Sequence, residues 1–131
     1  MRSGSFLVVK RSNFTNNSAR LGGLFAYFGS SELAHETLSI RSNTAAKSGG
    51  VIYSSMSTLG SFIDCEFIEN VAQMTGGAIY FEYLNEWSLK RTLFSSNKAV
   101  TDGGVIYVEN GNKLSIDSCV FTGNNATGSG K

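Results

Sequence analysis

Apolar and polar residues along the chain alternate only in short bursts, and the bursts return at a fixed interval. "FIENVAQMTGGAIYFE", from Phe67, is echoed 27 residues later by "FSSNKAVTDGGVIYVE", from Phe94. Each stretch runs from phenylalanine through two polar residues to asparagine and alanine, then to a double glycine and an apolar strand. Aligned on that pattern the chain holds five copies, the others being "FTNNSARLGGLF" from Phe14, "IRSNTAAKSGGVIY" from Ile40 and "FTGNNATGSGK" from Phe121. The leading apolar residues are 26, 27, 27 and 27 apart, and Gly22, Gly49, Gly76, Gly103 and Gly130 follow one another at 27 throughout. The missing residue lies in the first turn, where "NSARLGG" is one shorter than "NTAAKSGG". A period this strict marks one structural unit stacked on the next.

The segments between the Gly and Asn turns are rich in Val, Ile, Tyr, Phe, Thr and Ser, which reads as short strands and excludes helical repeats. From Gly103, "GGVIYVE" is a strand with Ile106 and Val108 on one face and Tyr107 and Glu109 on the other. "NGN" is a turn. "KLSID" is a second strand with Leu114 and Ile116 inward, and "SCVF" a third with Cys119 and Phe121 inward after a corner. "TGNNATGSG" is the return loop. Three strands and three corners per period make one coil of a parallel β-helix, each strand pairing with its copy at ~4.8 Å. The fold class is therefore all-β, a solenoid of about five coils of 27 residues. It fills residues 1–131 as one domain, with 1–5 a tag or a disordered start. The whole reads as a segment of a longer array or a stacking subunit.

Stacking puts every position against its own copies. Phe14, Ile40, Phe67, Phe94 and Phe121 form one inner ladder; Phe25, Ile52, Ile79 and Ile106 form another. Asn17, Asn43, Asn70, Asn97 and Asn124 occupy a corner where their amides can bond along the axis. Ala19, Ala45, Ala72, Ala99 and Ala126 stay small where the loop packs closely. Asn112, in the "NGN" turn, lies outside this ladder and is expected to tolerate leucine within about 0.5 kcal/mol.

"FIEN" and "GGAI" match the short motifs FxxN and GGA[ILV], and the chain thereby resembles the repeats of chlamydial polymorphic membrane proteins. "GGLF" and "IRSN" are degenerate copies. The resemblance implies a right-handed, single-stranded parallel β-helix, used as the passenger of an autotransported surface protein and often adhesive.

Composition agrees with a strand-and-turn protein. Fifteen glycines supply turns, and the absence of proline leaves every backbone N–H free to pair. The net charge of +1 favours no nucleic acid or acidic membrane surface. No apolar run approaches the ~20 residues of a membrane span, and the short run in "MRSGSFLVVKRS" does not read as a secretory signal. Asn13, Asn16 and Asn125 head glycosylation sequons. Cys65 and Cys119 lie two periods apart with Thr92 between them. That places them ~9.6 Å apart, too far for a disulfide, and they are expected to be free thiols in the core.

Parallel β-helices can also carry polysaccharide lyases and hydrolases, whose chemistry needs clustered carboxylates on an exposed face. Glu82 and Glu109 are the nearest approach, side by side with Tyr80 and Tyr107. Glu36, Lys90 and Asp117, and Asp64 with Arg91, instead alternate in sign as surface ladders do. His35 aligns with Phe62, Leu89 and Ile116 on the inner face, and Trp87 with Leu33, Gly60 and Leu114. Neither suggests a metal site, and no cofactor is expected. Tyr53, Tyr80 and Tyr107 form an outward aromatic row, which stabilises the sheet or binds a carbohydrate or a protein.

The function expected from these features is a non-catalytic structural or adhesive module of a cell-surface or extracellular protein. A subunit of an extracellular filament and a partial carbohydrate-active β-helix are the alternatives. The partners expected are further copies, added end to end through open coil faces, and a carbohydrate or host surface protein.

Overall fold

The computed structural model describes residues 5–28, 31–55, 59–83, 85–109 and 111–128. These form four parallel sheets in which each strand pairs only with its copies one turn earlier and later. In coil four, the sheet A strand is Glu86–Lys90, sheet B Leu93–Ser95, sheet C Lys98–Ala99 and sheet D Ile106–Val108. The register follows the period without slippage. Phe67 pairs with Ile40 and Phe94, Ala99 with Ala72 and Ala126, and Ile79 with Ile52 and Ile106.

Two details differ from the expected coil. The return loop contains a strand of its own, so a coil has four strands rather than three. Two residues suffice because amides within and just after the strand reach across the gap: Lys98 N–H donates to Asn70 O and Val100 N–H to Ala72 O. Sheets A, B and C hold five strands but sheet D only four, so the described residues make four full turns and most of a fifth. Ser5 already belongs to the first strand, Ser5–Lys10. Residues 1–4 and Gly130 lie outside the described set.

Strand faces alternate as the pleat requires. In Glu86–Lys90, Trp87 and Leu89 are buried while Glu86, Ser88 and Lys90 are exposed. Ile40, Phe67 and Phe94 are fully buried, and the Phe67, Phe94 and Phe121 rings stack at 4.8 and 4.9 Å.

Each sheet B strand is bounded by two single residues in the left-handed conformation. Before it stand Arg11, Thr37, Asp64, Arg91 and Ser118, with φ from 46° to 56°. After it stand Asn16, Ser42, Glu69, Ser96 and Gly123, with φ from 55° to 63°. Such residues cost about 1–2 kcal/mol each when they carry a side chain. The cost is offset because the same kink aims the amide at the following coil: Asp64 N–H meets Lys90 O and Glu69 N–H meets Ser95 O.

The double glycine serves two separate needs. Gly76 has φ +67°, which a side chain resists. Gly77 does not need that freedom; a Cβ there would lie 2.1 Å from Gly104 O in the next coil. One glycine turns the chain and the other lets two coils touch through bare backbone.

Candidate functional site

The corner asparagines form a continuous ladder of fixed direction. Asn70 Oδ1 accepts from both the backbone N–H and the Nδ2 of Asn43, each at 3.0 Å. Asn70 in turn sends its backbone N–H and Nδ2 to Asn97 Oδ1, and its second Nδ2 proton to Ile40 O at 3.2 Å. The same set joins Asn17 to Asn43 and Asn97 to Asn124. Asn43, Asn70 and Asn97 are fully buried, yet their amides are satisfied at every atom.

A second ladder was not expected. Asn85 donates its backbone N–H and Nδ2 to Asn112 Oδ1, both at 2.9 Å, and accepts from Ser54 Oγ at 3.0 Å. Asn112 Nδ2 reaches Glu82 O at 2.9 Å. Asn112 thus stands outside the corner ladder, as expected, but its bonds go against the expected tolerance of leucine there: the turn before sheet A is built like the corner after sheet B. The signal lay in the 27-residue spacing of Asn85 and Asn112, but only two copies carry asparagine.

Tyr53, Tyr80 and Tyr107 stack as a row, with ring centroids 5.3 Å apart at both steps. The row is less open than an outward row implies. Tyr53 is buried, while Tyr80 and Tyr107 are half-buried. Tyr53 donates to Glu82 Oε2 at 2.8 Å, which also accepts from Ser55 Oγ at 2.6 Å. Tyr80 donates to Glu109. Burial, and then these bonds to carboxylates, raise the Tyr53 and Tyr80 phenols above their ordinary range. Glu82 and Glu109 are thus engaged in holding the tyrosine row, an arrangement suited to a rigid face.

His35 is buried where the alignment places it, stacked on Phe62 at 4.2 Å. Its Nδ1 faces Ser61 O at 3.0 Å, and a carbonyl can only accept, so Nδ1 carries the proton. Nε2 then accepts from the Tyr27 hydroxyl at 3.0 Å. Burial pushes this imidazole down to about 4, keeping it neutral. Trp87 fills the space left by Gly60, where a Cβ would lie 2.5 Å from the indole.

Cys65 and Cys119 are free thiols. Cys65 is buried, and burial raises its pKa. Cys119 is only half-buried, because no coil covers it on its far side among the described residues. Of the charge rows, Asp64 meets Arg91 at 2.7 Å as expected, whereas Ile63 separates Glu36 from Lys90 and Glu36 pairs instead with Lys10 at 3.2 Å. Arg91 holds the Asp64 carboxyl below its usual range. Such exposed pairs add little stability. The sequon residues Asn13, Asn16 and Asn125 are all exposed. Among the described residues no three His, Cys, Asp or Glu side chains converge as metal ligands, and no helix is long and apolar enough to cross a membrane.

Stacked parallel coils bound by side-chain ladders define a parallel β-helical repeat protein. Three stretches, residues 37–55, 64–82 and 91–109, match the Chlamydia polymorphic membrane protein repeat. Each matched stretch starts at the left-handed residue before sheet B and ends just beyond the Tyr row. No curated protein and no solved structure gives a match.

Proposed function

We propose that the chain is a non-catalytic, structural and adhesive module of a cell-surface protein. The observation that carries this reading is the set of three matches to the polymorphic membrane protein repeat in consecutive coils. The geometry supports it. Buried asparagine and aromatic ladders make a stiff rod, and a stiff rod holds its lateral faces in fixed relation for a partner. The half-buried Tyr80 and Tyr107, with their stacked rings, are the candidate contact, and the partner is a carbohydrate or a surface protein. The bonds of Glu82 and Glu109 to tyrosine favour this role over carbohydrate hydrolysis, which needs carboxylates free to exchange protons.

Beads coated with the chain test it against glycan arrays and cultured cells. Retention is expected, and most of it should disappear with Tyr80→Ala/Tyr107→Ala. Binding no greater than that of bare beads would reject adhesion. Turnover of a polysaccharide would reject the non-catalytic reading.

A further inference from the structure

One inward row of sheet A breaks its own rule. Along the axis it reads Val9, His35, Phe62, Leu89 and Ile116, one imidazole among apolar side chains. His35, in the coil-two strand Ser31–Glu36, is buried and bonds to the coils on both sides. Its Nδ1 donates to Ser61 O of coil three, and its Nε2 accepts from Tyr27 on the coil-one strand Phe25–Phe28, each at 3.0 Å. The ring lies against Phe25 at 5.2 Å, Phe62 at 4.2 Å and Trp87 at 6.0 Å. Three coils thus meet at the one inward side chain of the row that can take up a proton.

The bond to Tyr27 holds only while the ring is neutral. A proton on Nε2 would face the phenol proton. If the phenol turned to accept, its own proton would lose the one partner it has among the described residues. The titratable groups beside the ring are Tyr27 and Cys65, whose Sγ lies 3.8 Å from His35 O; burial pushes both upward, so both are neutral in acid. The charged residues of the paired strands, Lys10, Glu32, Glu36, Glu86 and Lys90, stand exposed on the outer face. The faces of Phe62 and Trp87 attract a cation, but loss of water outweighs that attraction, and burial lowers the imidazole to about 4. The unfolded chain takes up the same proton near 6.5. His35 therefore costs the stack nothing above about 6.5 and an increasing amount as pH falls toward about 4. Since coils hold only their neighbours, the loss falls on the two junctions that His35 bridges.

We propose that His35 is an acid latch: neutral, it ties coils one, two and three together, and in acid its protonation releases them and opens the aromatic core between them. This inference stands apart from the adhesive reading.

Urea titrations of the chain from about pH 7 to about pH 4 test it, with Trp87, the single tryptophan, as a fluorescent reporter beside His35. His35→Gln can donate and accept but takes no proton, and the carboxylates titrate alike in both chains. Over this range the folding constant of wild type should fall roughly 300-fold further than that of His35→Gln. At the acid end a collisional quencher should reach Trp87 more readily in wild type than in His35→Gln. Tyr27→Phe removes a bond made only to the neutral ring, so the imidazole titration followed by NMR should move upward from its wild-type position. Parallel pH curves for wild type and His35→Gln would overturn the proposal. So would a wild-type imidazole that titrates near its ordinary value with the coils intact. Should His35→Gln not fold, the Tyr27→Phe titration decides, and the absence of an upward move there overturns the latch.

Discussion

At the residue scale the fold depends on satisfying amides that have no access to water. Asn97 is fully buried and bonds through all its amide atoms, to Asn70, Asn124 and Phe67. Replacing it with leucine strands the partners on both sides, and each buried unsatisfied group costs about 1–3 kcal/mol. Asn97→Leu is therefore expected to lose about 3 kcal/mol or more in denaturant titrations. Asn112→Leu should lose about 1–3 kcal/mol, since it removes the acceptor for Asn85 and the donor to Glu82 O. Asn13→Ser, at an exposed position, should change stability by no more than about 0.5 kcal/mol. Equal losses at Asn97 and Asn13 would remove the ladder from the explanation. The corner ladder was legible because asparagine returns in all five copies. The Asn85–Asn112 ladder was not, because a two-membered row cannot be told from ordinary turn composition. The bonds of Tyr53 and Tyr80 to carboxylates were hidden for another reason: they run diagonally, from one row to its neighbour in the next coil.

At the element scale, coils are defined more by their corners than by their strands. Strands of two or three residues bury little surface alone, and the kinks decide where each amide points. Sheets A, B and D were visible from alternation of apolar residues, as in Trp87 and Leu89 of "EWSLK". Sheet C was not, because Lys98–Ala99 offers no alternation to detect. The left-handed corners were equally silent. Arg91, Thr37 and Glu69 adopt positive φ despite their side chains, held there by bonds to the next coil that no local rule anticipates. The glycine pair was the clearest corner signal, and its two members differ in kind. Gly77→Ala drives a Cβ into Gly104 O, a backbone atom that cannot move without separating the coils. A loss of at least about 3 kcal/mol is expected, the upper end of overpacking costs. Gly123 has φ +63° but meets nothing closer than 3.4 Å, in a row that also accepts Asn16 and Ser96. Gly123→Asn should therefore cost no more than about 1 kcal/mol. Thermal or chemical melts compare the two directly, and similar losses at both sites would contradict the division of labour.

At the scale of the whole molecule, everything rests on one register: each residue lies beside the residue 27 positions later in coils two to five. The ladders and the buried glycine contact both follow from it. A one-residue slip would turn Phe67 and Phe94 to opposite sides of the wall. Disulfide trapping on the outer face of sheet A measures this register directly. Ser61 and Ser88 are paired in adjacent turns, so their Cα atoms should lie ~4.8 Å apart, within bonding range. Lys90 lies on the same face two positions further along, about 8 Å from Ser61 and beyond that range. In a Cys119→Ser background, Ser61→Cys/Ser88→Cys is expected to close rapidly under mild oxidation with the fold retained, while Ser61→Cys/Lys90→Cys stays reduced. Faster closure of the Ser61→Cys/Lys90→Cys pair, or closure of neither, would contradict the 27-residue coil.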